Sequence, residues 1–264
     1  MDTAAIRKAV LDTIASIAPE TDLRRIRPDE PLRRQVDLDS MDWLNVIAGL
    51  QQRLSIAIPD TDAGRLSTLD SIVACLASRQ AQPAATPQPA RVAAGELRST
   101  QHMVGGTAVT VRPIRPDDLS LEADFVRRMS TESRYKRFLV TVSELSDRKL
   151  HYFTEVDQLG HVALAAAVER EGKPAIVGVA RYIVVPAGDS CEFAIAVDDA
   201  WQGSGLAGIL MHALIDVARA RGLPRMEGTV LTTNMRMLKF MRQLGFSQQR
   251  DPEDRDTVRV LRHL

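Results

Sequence analysis

The chain of 264 residues is poor in cysteine, with only Cys75 and Cys191. Two thiols are too few for a disulfide framework, and neither falls in a metal-ligand spacing, so no metal is expected. They read as buried thiols of a cytoplasmic protein. Excess charge of either sign is missing as well. The 34 basic residues balance 34 acidic ones, and without a long basic run nothing points to nucleic acid as a partner. No apolar stretch reaches membrane-spanning length. The N-terminal Met1-Asp2-Thr3-Ala4 also lacks the basic segment and apolar core of a signal peptide, so no membrane partner is expected. What remains is 45% hydrophobic and 26% charged, ordinary for a globular protein and long enough for two modest domains.

A composition break divides the chain. Gln80 to Ala90 carries Pro83, Pro87 and Pro89, no aromatic residue and no apolar periodicity, which reads as a semi-extended linker. The expected domains are 1–78 and 97–264, joined by a linker over 79–96. About 17 residues reach at most ~60 Å, enough for a plain spacer or for a tether that concentrates one domain at the other.

The first part reads as helical throughout. Ile6, Val10, Ile14 and Ile17 recur at helical spacing, and a polar loop follows through Pro28 and Pro31. A second helix starts at Asp39-Ser40, with Met41, Leu44, Ile47, Leu50 and Leu54 on one face, and Pro59 closes the region. A last helix runs from an N-cap at Thr68 to Leu76. The second part alternates. Gly105-Gly106 marks a hairpin between Met103 and Thr107–Arg112. Helices are expected at 119–129, 144–154, 205–221 and 235–244. Strands are expected at 162–169, 176–184, 191–197, 229–231 and 257–261, an α+β order.

Ser40 stands in Val36-Asp37-Leu38-Asp39-Ser40-Met41-Asp42. A helix N-terminus offers free N–H groups and the positive end of a dipole, so it tolerates a phosphodiester. By itself Asp-Ser at a helix start is an ordinary N-cap. The surrounding pattern adds to it: the helical order, the long loop before Asp39, Ile56-Ala57-Ile58-Pro59-Asp60, and Leu66-Ser67-Thr68-Leu69. Residues 1–78 resemble the acyl carrier proteins of fatty-acid and polyketide pathways. The family's Asp-Ser-Leu falls on Asp39-Ser40-Met41, with Met for Leu. The resemblance implies a four-helix bundle, 4′-phosphopantetheine carried covalently on Ser40, and a phosphopantetheinyl transferase and an acyl-loading enzyme as partners. Asp37, Asp39, Asp42, Asp60 and Asp62 surround the serine, diluted by Arg33, Arg34 and Arg53. That is either a solvated surface or a carrier specialised for its own fused partner.

The second signal is Gln202-Gly203-Ser204-Gly205-Leu206-Ala207. Its glycines let backbone N–H groups approach a ligand, and the helix that follows adds its dipole, which suits a pyrophosphate. The order strand, loop, helix, strand, Asn234, helix, Gly245-Phe246 is more specific than the glycines alone. Residues 107–264 resemble the GNAT acetyltransferase superfamily, whose Gln/Arg-x-x-Gly-x-Gly/Ala motif falls on Gln202, Gly205 and Ala207. Arg112-Pro113-Ile114-Arg115-Pro116, Ser133-Arg134-Tyr135 with Arg137-Phe138, and Trp201-Gln202-Gly203 look like bacterial protein-lysine acetyltransferases. The resemblance implies an α+β fold with a central mixed sheet, acetyl-CoA or CoA as ligand, and direct transfer of an acyl group from a thioester to an amine. Gln202, Gly203, Ser204, Gly205, Leu206, Ala207 and Asn234 would hold the coenzyme. Backbone groups at the end of the strand, at Ala196 and Val197, would orient the thioester.

The chemistry asks for a base, a polarised carbonyl and a proton for the leaving thiolate. Glu192 is the candidate base, because it interrupts an apolar strand where burial would raise its pKa. It is otherwise an exposed strand carboxylate, or one paired with an arginine. Many relatives carry a tyrosine seven residues after the motif asparagine as general acid. Here that position is Met241, so Tyr135 or water would supply the proton, or the thiolate would leave unaided. Tyr152, Tyr182 and His161 are further candidates that also fit packing or surface roles.

Four functions stay open. The arm on Ser40 is the donor to an amine in the cleft, or free acetyl-CoA acetylates a small amine or protein lysine with the carrier as a docking module. Alternatively, acetyl-CoA primes the Ser40 arm as a biosynthetic starter, or the second domain binds coenzyme A as a scaffold without catalysis.

Overall fold

A computed structural model describes residues 3–18, 21–36, 38, 40–54, 56, 58, 66–79, 97–138, 144–185, 190–250 and 255–264. The chain separates into two compact units, the first built mainly from residues up to 90 and the second mainly from those after it.

The first unit is helical. The described helices are α1 (Thr3–Ile17), the single turn α2 (Leu32–Gln35), α3 (Ser40–Leu54) and α4 (Leu69–Arg79). Their apolar faces meet in one core: Ile6, Val10 and Ile14 from α1, Leu32 from α2, Trp43, Val46, Ile47 and Leu50 from α3, and Ile72, Val73 and Leu76 from α4. Ile56, Ile58 and Leu66 enter the same core, so the segments between the helices also bury apolar side chains. α4 starts as the sequence predicts. Thr68 Oγ accepts from the Ser71 N–H and Ser71 Oγ accepts from the Thr68 N–H, both at 3.0 Å, a reciprocal cap. Two expectations change here. Cys75 is half-buried rather than buried. Asp42, expected on the surface around Ser40, is 3% exposed: on the first turn of α3 it follows Trp43 inward. Asp37, Asp39, Asp60 and Asp62, the linker, and the side chains of Arg33, Arg34, Ser40 and Met41 lie outside the described residues.

The second unit is one eight-stranded mixed sheet in the order β1-β2-β3-β4-β5-β6-β8-β7. Its strands are β1 (Thr100–Val104), β2 (Thr107–Pro113), β3 (His161–Arg170), β4 (Lys173–Val184), β5 (Cys191–Val197), β6 (Arg225–Leu231), β7 (Ser247–Arg250) and β8 (Thr257–His263). Its helices are α5 (Leu119–Arg128), α6 (Thr131–Phe138), α7 (Asp147–Thr154), α8 (Leu206–Ala220) and α9 (Met235–Gln243). Alternation along β3 and β4 divides the side chains between two faces. Val162, Leu164, Ala180 and Tyr182 join a core with Leu210, Leu214 and Met241 of α8 and α9. Ala163, Ala165, Ile176 and Val179 join a second core with Phe125, Phe138 and Phe153 of α5–α7. Helices therefore cover both faces of the sheet.

Two irregularities position the site. The register of β3 on β4 steps from Ala166↔Gly178 to Ala167↔Ile176, leaving Val177 as a bulge. Its carbonyl accepts the N–H of Asp198, 2.9 Å away, where β5 ends. The second irregularity is the parallel pairing of β5 with β6. It holds only at Cys191↔Met226 and Glu192↔Glu227, although β5 is paired with β4 along the whole length of β5.

Candidate active site

β5 and β6 part after Glu192, which opens a gap in the middle of the sheet. Asp198 bonds to Val177 on β4, and β-strand alternation then turns Ala196 and Ala194 toward β4 as well. The N–H and C=O groups of Ile195 and Val197 are left facing the gap. A ligand lying there would find a strand edge to pair with. Val197 faces the gap. The backbone of Ala196 is taken up by β4, and it is Ile195 that faces the gap. The wedge is held open by Phe193, whose ring packs on Gly228 of β6 and against Phe246, with ring centroids 5.2 Å apart.

Below the gap the chain turns through the glycine loop. Asp198 accepts from the Ala200 N–H and starts a 3-10 turn over Asp199–Trp201. Gly203 and Gly205 have φ of +82° and +93°, values a side chain strains. α8 then begins at Leu206 with no side-chain cap on its first turn beyond a 3.3 Å bond from the Leu206 N–H to Ser204 Oγ. Gln202 through Gly205 are exposed. Uncapped N–H groups at an exposed helix start, reached over two glycines, fit a pyrophosphate.

The rest of the loop is tied down by a network that the sequence did not disclose. Asp199 accepts from the Ser130 N–H at 2.7 Å, from Ser133 Oγ at 2.6 Å and from Ser130 Oγ at 3.2 Å. Partial burial works against its ionised form, but the bonds from Ser130 and Ser133 outweigh that and hold its carboxyl below the usual value. Gln202 Nε2 donates to Asp199 and to Ser133, and its Oε1 accepts from Arg236 at 3.2 Å. Gln202 is thus a strut between α6 and α9. Arg236 brings a guanidinium beside Gly203, where an added Cβ would lie 3.0 Å from its Nη2. It places a cation next to the loop, and its only signal in the sequence was its place two residues after Asn234. Asn234 itself caps α9, its Oδ1 accepting from the Met237 N–H at 3.2 Å.

Glu192 lies on β5 at the point where the gap opens, half-buried, with Oε1 sealed from solvent. It is in register with Glu227 of β6, whose carboxylate is taken up by Arg259. Tyr135 is 45% exposed on α6. It follows Ser133 by two residues, about 200° around a helix, so while Ser133 touches the loop Tyr135 points away from it. Met241, which stands where many relatives carry a tyrosine, is in the core. The remaining acid candidates, Tyr182, Tyr152 and His161, are packing groups. Tyr182 is buried, with its hydroxyl accepting from Arg221 and its pKa pushed up by desolvation to about 12. The rings of Tyr152 and His161 pack against each other, tilted by 36°. Burial also pushes the Cys191 thiol up. Arg112, prominent in the sequence, makes a two-pronged bond to Asp118 at 2.6 Å, and Asp118 also accepts from the Arg115 N–H. This Arg-Pro segment braces the entry to α5.

Ser40 is the first residue of α3, the helix start that the sequence indicates. The two sites belong to separate units, and each is built from its own elements.

On the α5–α7 face, Glu122 is buried and pairs with buried Arg181 at 3.0 Å. Desolvation raises its pKa against the pull of Arg181 and Arg137. Among the described residues no three groups of metal-ligating type come together, and no helix is long and apolar enough to cross a membrane.

Comparison with known proteins agrees with both halves. Residues 8–76 match the phosphopantetheine attachment site family, and residues 126–246 match the acetyltransferase (GNAT) family. Acetyltransferase PA5475 of Pseudomonas aeruginosa is 36% identical over 153 residues, which cover 58% of this chain and 82% of that protein. Acetyltransferase Pat of Mycolicibacterium smegmatis is 31% identical over 61% of this chain, which spans 44% of that longer protein. An acyl carrier protein of Streptomyces coelicolor is 33% identical over 73 residues, 79% of its length. The crystal structure of the GNAT domain of S. lividans PAT superposes with a TM-score of 0.58 at 32% identity, covering 63% of this chain and 97% of that one. Together with the parted strands and the glycine loop, these matches show that the chain belongs to the GNAT acetyltransferase family and carries a phosphopantetheine-attachment domain of acyl-carrier type ahead of its acetyltransferase domain.

Proposed function

We propose that the acetyltransferase domain moves an acyl group between a pantetheine thioester and an amine by direct attack, and that Ser40 carries a pantetheine arm able to take part. The observation that supports this most is the gap after Glu192. It presents the free backbone groups of Ile195 and Val197 directly above an uncapped, glycine-lined helix start. Coenzyme A, or a pantetheine arm, would supply the thioester, a carbonyl activated toward attack and a thiolate leaving group. The residues to hold it are Gly203, Gly205 and Ala207 through their N–H groups, with Ser204 and Leu206, whose N–H groups bond to the Trp201 carbonyl and to Ser204 Oγ, shaping the loop between them, Arg236 as a neighbouring cation and Gln202 as the strut that fixes the loop.

Glu192 would take the proton from the amine. It stands at the head of the gap, half-buried, where a proton acceptor is within reach of an amine that attacks a thioester lying there. Backbone N–H groups of β5 would polarise the thioester carbonyl, and they cost no reorganisation because the strand is already fixed by β4. With Met241 buried and Tyr135 turned away, water is the proton source for the thiolate. On Ser40, α3 offers its N-terminal N–H groups to the phosphodiester.

Intact-protein mass after co-expression with a broad-specificity phosphopantetheinyl transferase, and again after acetyl-CoA is added, tests both halves. The expected result is one pantetheine adduct that is absent in Ser40→Ala, and acyl transfer that is lost in Glu192→Gln. An acetyl adduct that hydroxylamine removes would place transfer onto the arm. Acceptance by an amine alone would place it in the cleft. An unmodified Ser40 would overturn the carrier assignment, and full activity of Glu192→Gln across pH would remove the base.

A further inference from the structure

One cavity lies outside the loop and the gap. It sits between α5, α6 and α7 and the sheet, with walls from Met129, Phe138 and Phe153 and with Ala196 and Val179 in its floor. Its free space is about that of one water molecule. Three polar groups line it: Glu122, Arg137 and Arg181.

Glu122 is only 3% exposed. Its Oε1 accepts from Arg181 Nη2 at 3.0 Å, and Arg181 is fixed in turn by a 3.2 Å bond to the Phe153 carbonyl and by stacking on the Phe153 ring. Glu122 Oε2 is sealed from solvent and has no hydrogen-bond partner among the described residues. A buried carboxylate oxygen left in that state is costly, and a donor entering the cavity would relieve it.

The charges decide what that donor is. One carboxylate faces two guanidiniums, so an ammonium would be repelled, while an incoming carboxylate would meet Oε2 at close range. A neutral hydroxyl escapes both penalties. It donates to Oε2, accepts from a guanidinium, and its oxygen is the size of the space. The place is equally restrictive. Ala196 in the floor stands between Ile195 and Val197, whose backbone groups face the gap, and one strand is about 4.8 Å wide. A short chain leaving the gap would cross β5 and end in the cavity.

We infer that this cavity is a subsite for the far end of the transferred acyl group and selects one that bears a hydroxyl. The inference rests on the reading that the gap holds the thioester.

Isothermal titration of the full chain with CoA, butyryl-CoA and 4-hydroxybutyryl-CoA, with no acceptor present, separates the two ideas. The hydroxyacyl thioester should bind roughly tenfold tighter than butyryl-CoA, the scale of a hydrogen bond to a charged group. Val179→Ile adds a methylene to the cavity floor and should bring that ratio to about one. Glu122→Gln should lower it, and the ratio is read within each variant so that a general loss of affinity cancels. Thermal unfolding confirms that each variant is folded. CoA binding without discrimination between the two thioesters would mean that the cavity holds only a water, and it would overturn this inference alone. A ratio unchanged in Val179→Ile would overturn it as well. No binding of CoA in any form would overturn the reading of the gap along with it.

Discussion

His161 enters β3 with its ring 5.1 Å from that of Tyr152 and its Nε2 sealed from solvent. Burial, with Arg181 and Arg137 adding to it, holds its pKa well below the ordinary 6.5. The folded protein keeps it neutral at a pH where the unfolded chain already binds a proton. Unfolding therefore takes up a proton below about pH 6.5, and stability falls as pH drops through that window, by at most ~1.4 kcal/mol per pH unit for one group. Above it, this residue contributes no slope. Thermal melts between pH 7.5 and 5 should show a decline for the wild type that is shallower in His161→Gln; parallel curves would assign the decline to other groups. The same residue marks the limit of reading single side chains from sequence. His161 was one acid candidate among several, because burial is not written in the residue type. The glycine turn at Gly203 and Gly205 was legible, since a positive φ restricts residue choice, whereas Asn234 was read as a coenzyme contact and its role as a helix cap was not foreseen. Asp199, Ser133 and Arg236 were not legible, because a hydrogen-bond network joining α6, the loop and α9 has no fixed spacing along the chain.

Long periodic elements followed from the sequence, and short polar ones did not. α6 was missed because Thr131–Phe138 buries only Phe138. It is sustained instead by the Ser130 N-terminal bonds and the Glu132–Lys136 pair on its surface. β7 was missed because all four residues are exposed at the sheet edge, with no alternation to detect. The parting of β5 and β6 is an element-scale property with a residue-scale cause. At Gly228 a Cβ would stand 2.6 Å from the Phe193 ring, too close for any side chain, and Phe246 blocks the ring from moving away. Gly228→Ala should cost about 1–3 kcal/mol and weaken coenzyme A binding by forcing β6 or Phe193 to shift. Gly208 in α8 has open space around its Cβ position, so Gly208→Ala should instead stabilise by about 0.5–1 kcal/mol. Urea unfolding of the pair measures both. Equal shifts in one direction would mean that the ring contact does not hold the gap.

Each half of the molecule closes its own hydrophobic core, one from α1–α4 and the other from the two faces of the sheet. Folding of one therefore does not wait on apolar contacts with the other, and thermal unfolding should resolve two transitions. The linker expected over 79–96 from its prolines lies largely outside the described residues. What composition does not encode is whether an arm carried on Ser40, as proposed, would serve the cleft of its own chain. A protease site placed at Pro87-Gln88 would answer that. Cleavage should leave two folded pieces, and turnover with free acetyl-CoA should be unchanged, because the loop, the gap and Glu192 all belong to the second piece. Transfer involving the arm should behave differently. A tether of this length holds its partner at an effective concentration in the millimolar range, so cutting it at micromolar protein would slow that transfer by about a hundredfold or more. The rate would then rise with dilution of neither piece but with the concentration of both. A cleaved protein that transfers to or from the arm at the uncut rate, independent of concentration, would show that the linker is a spacer and that the two units associate without it.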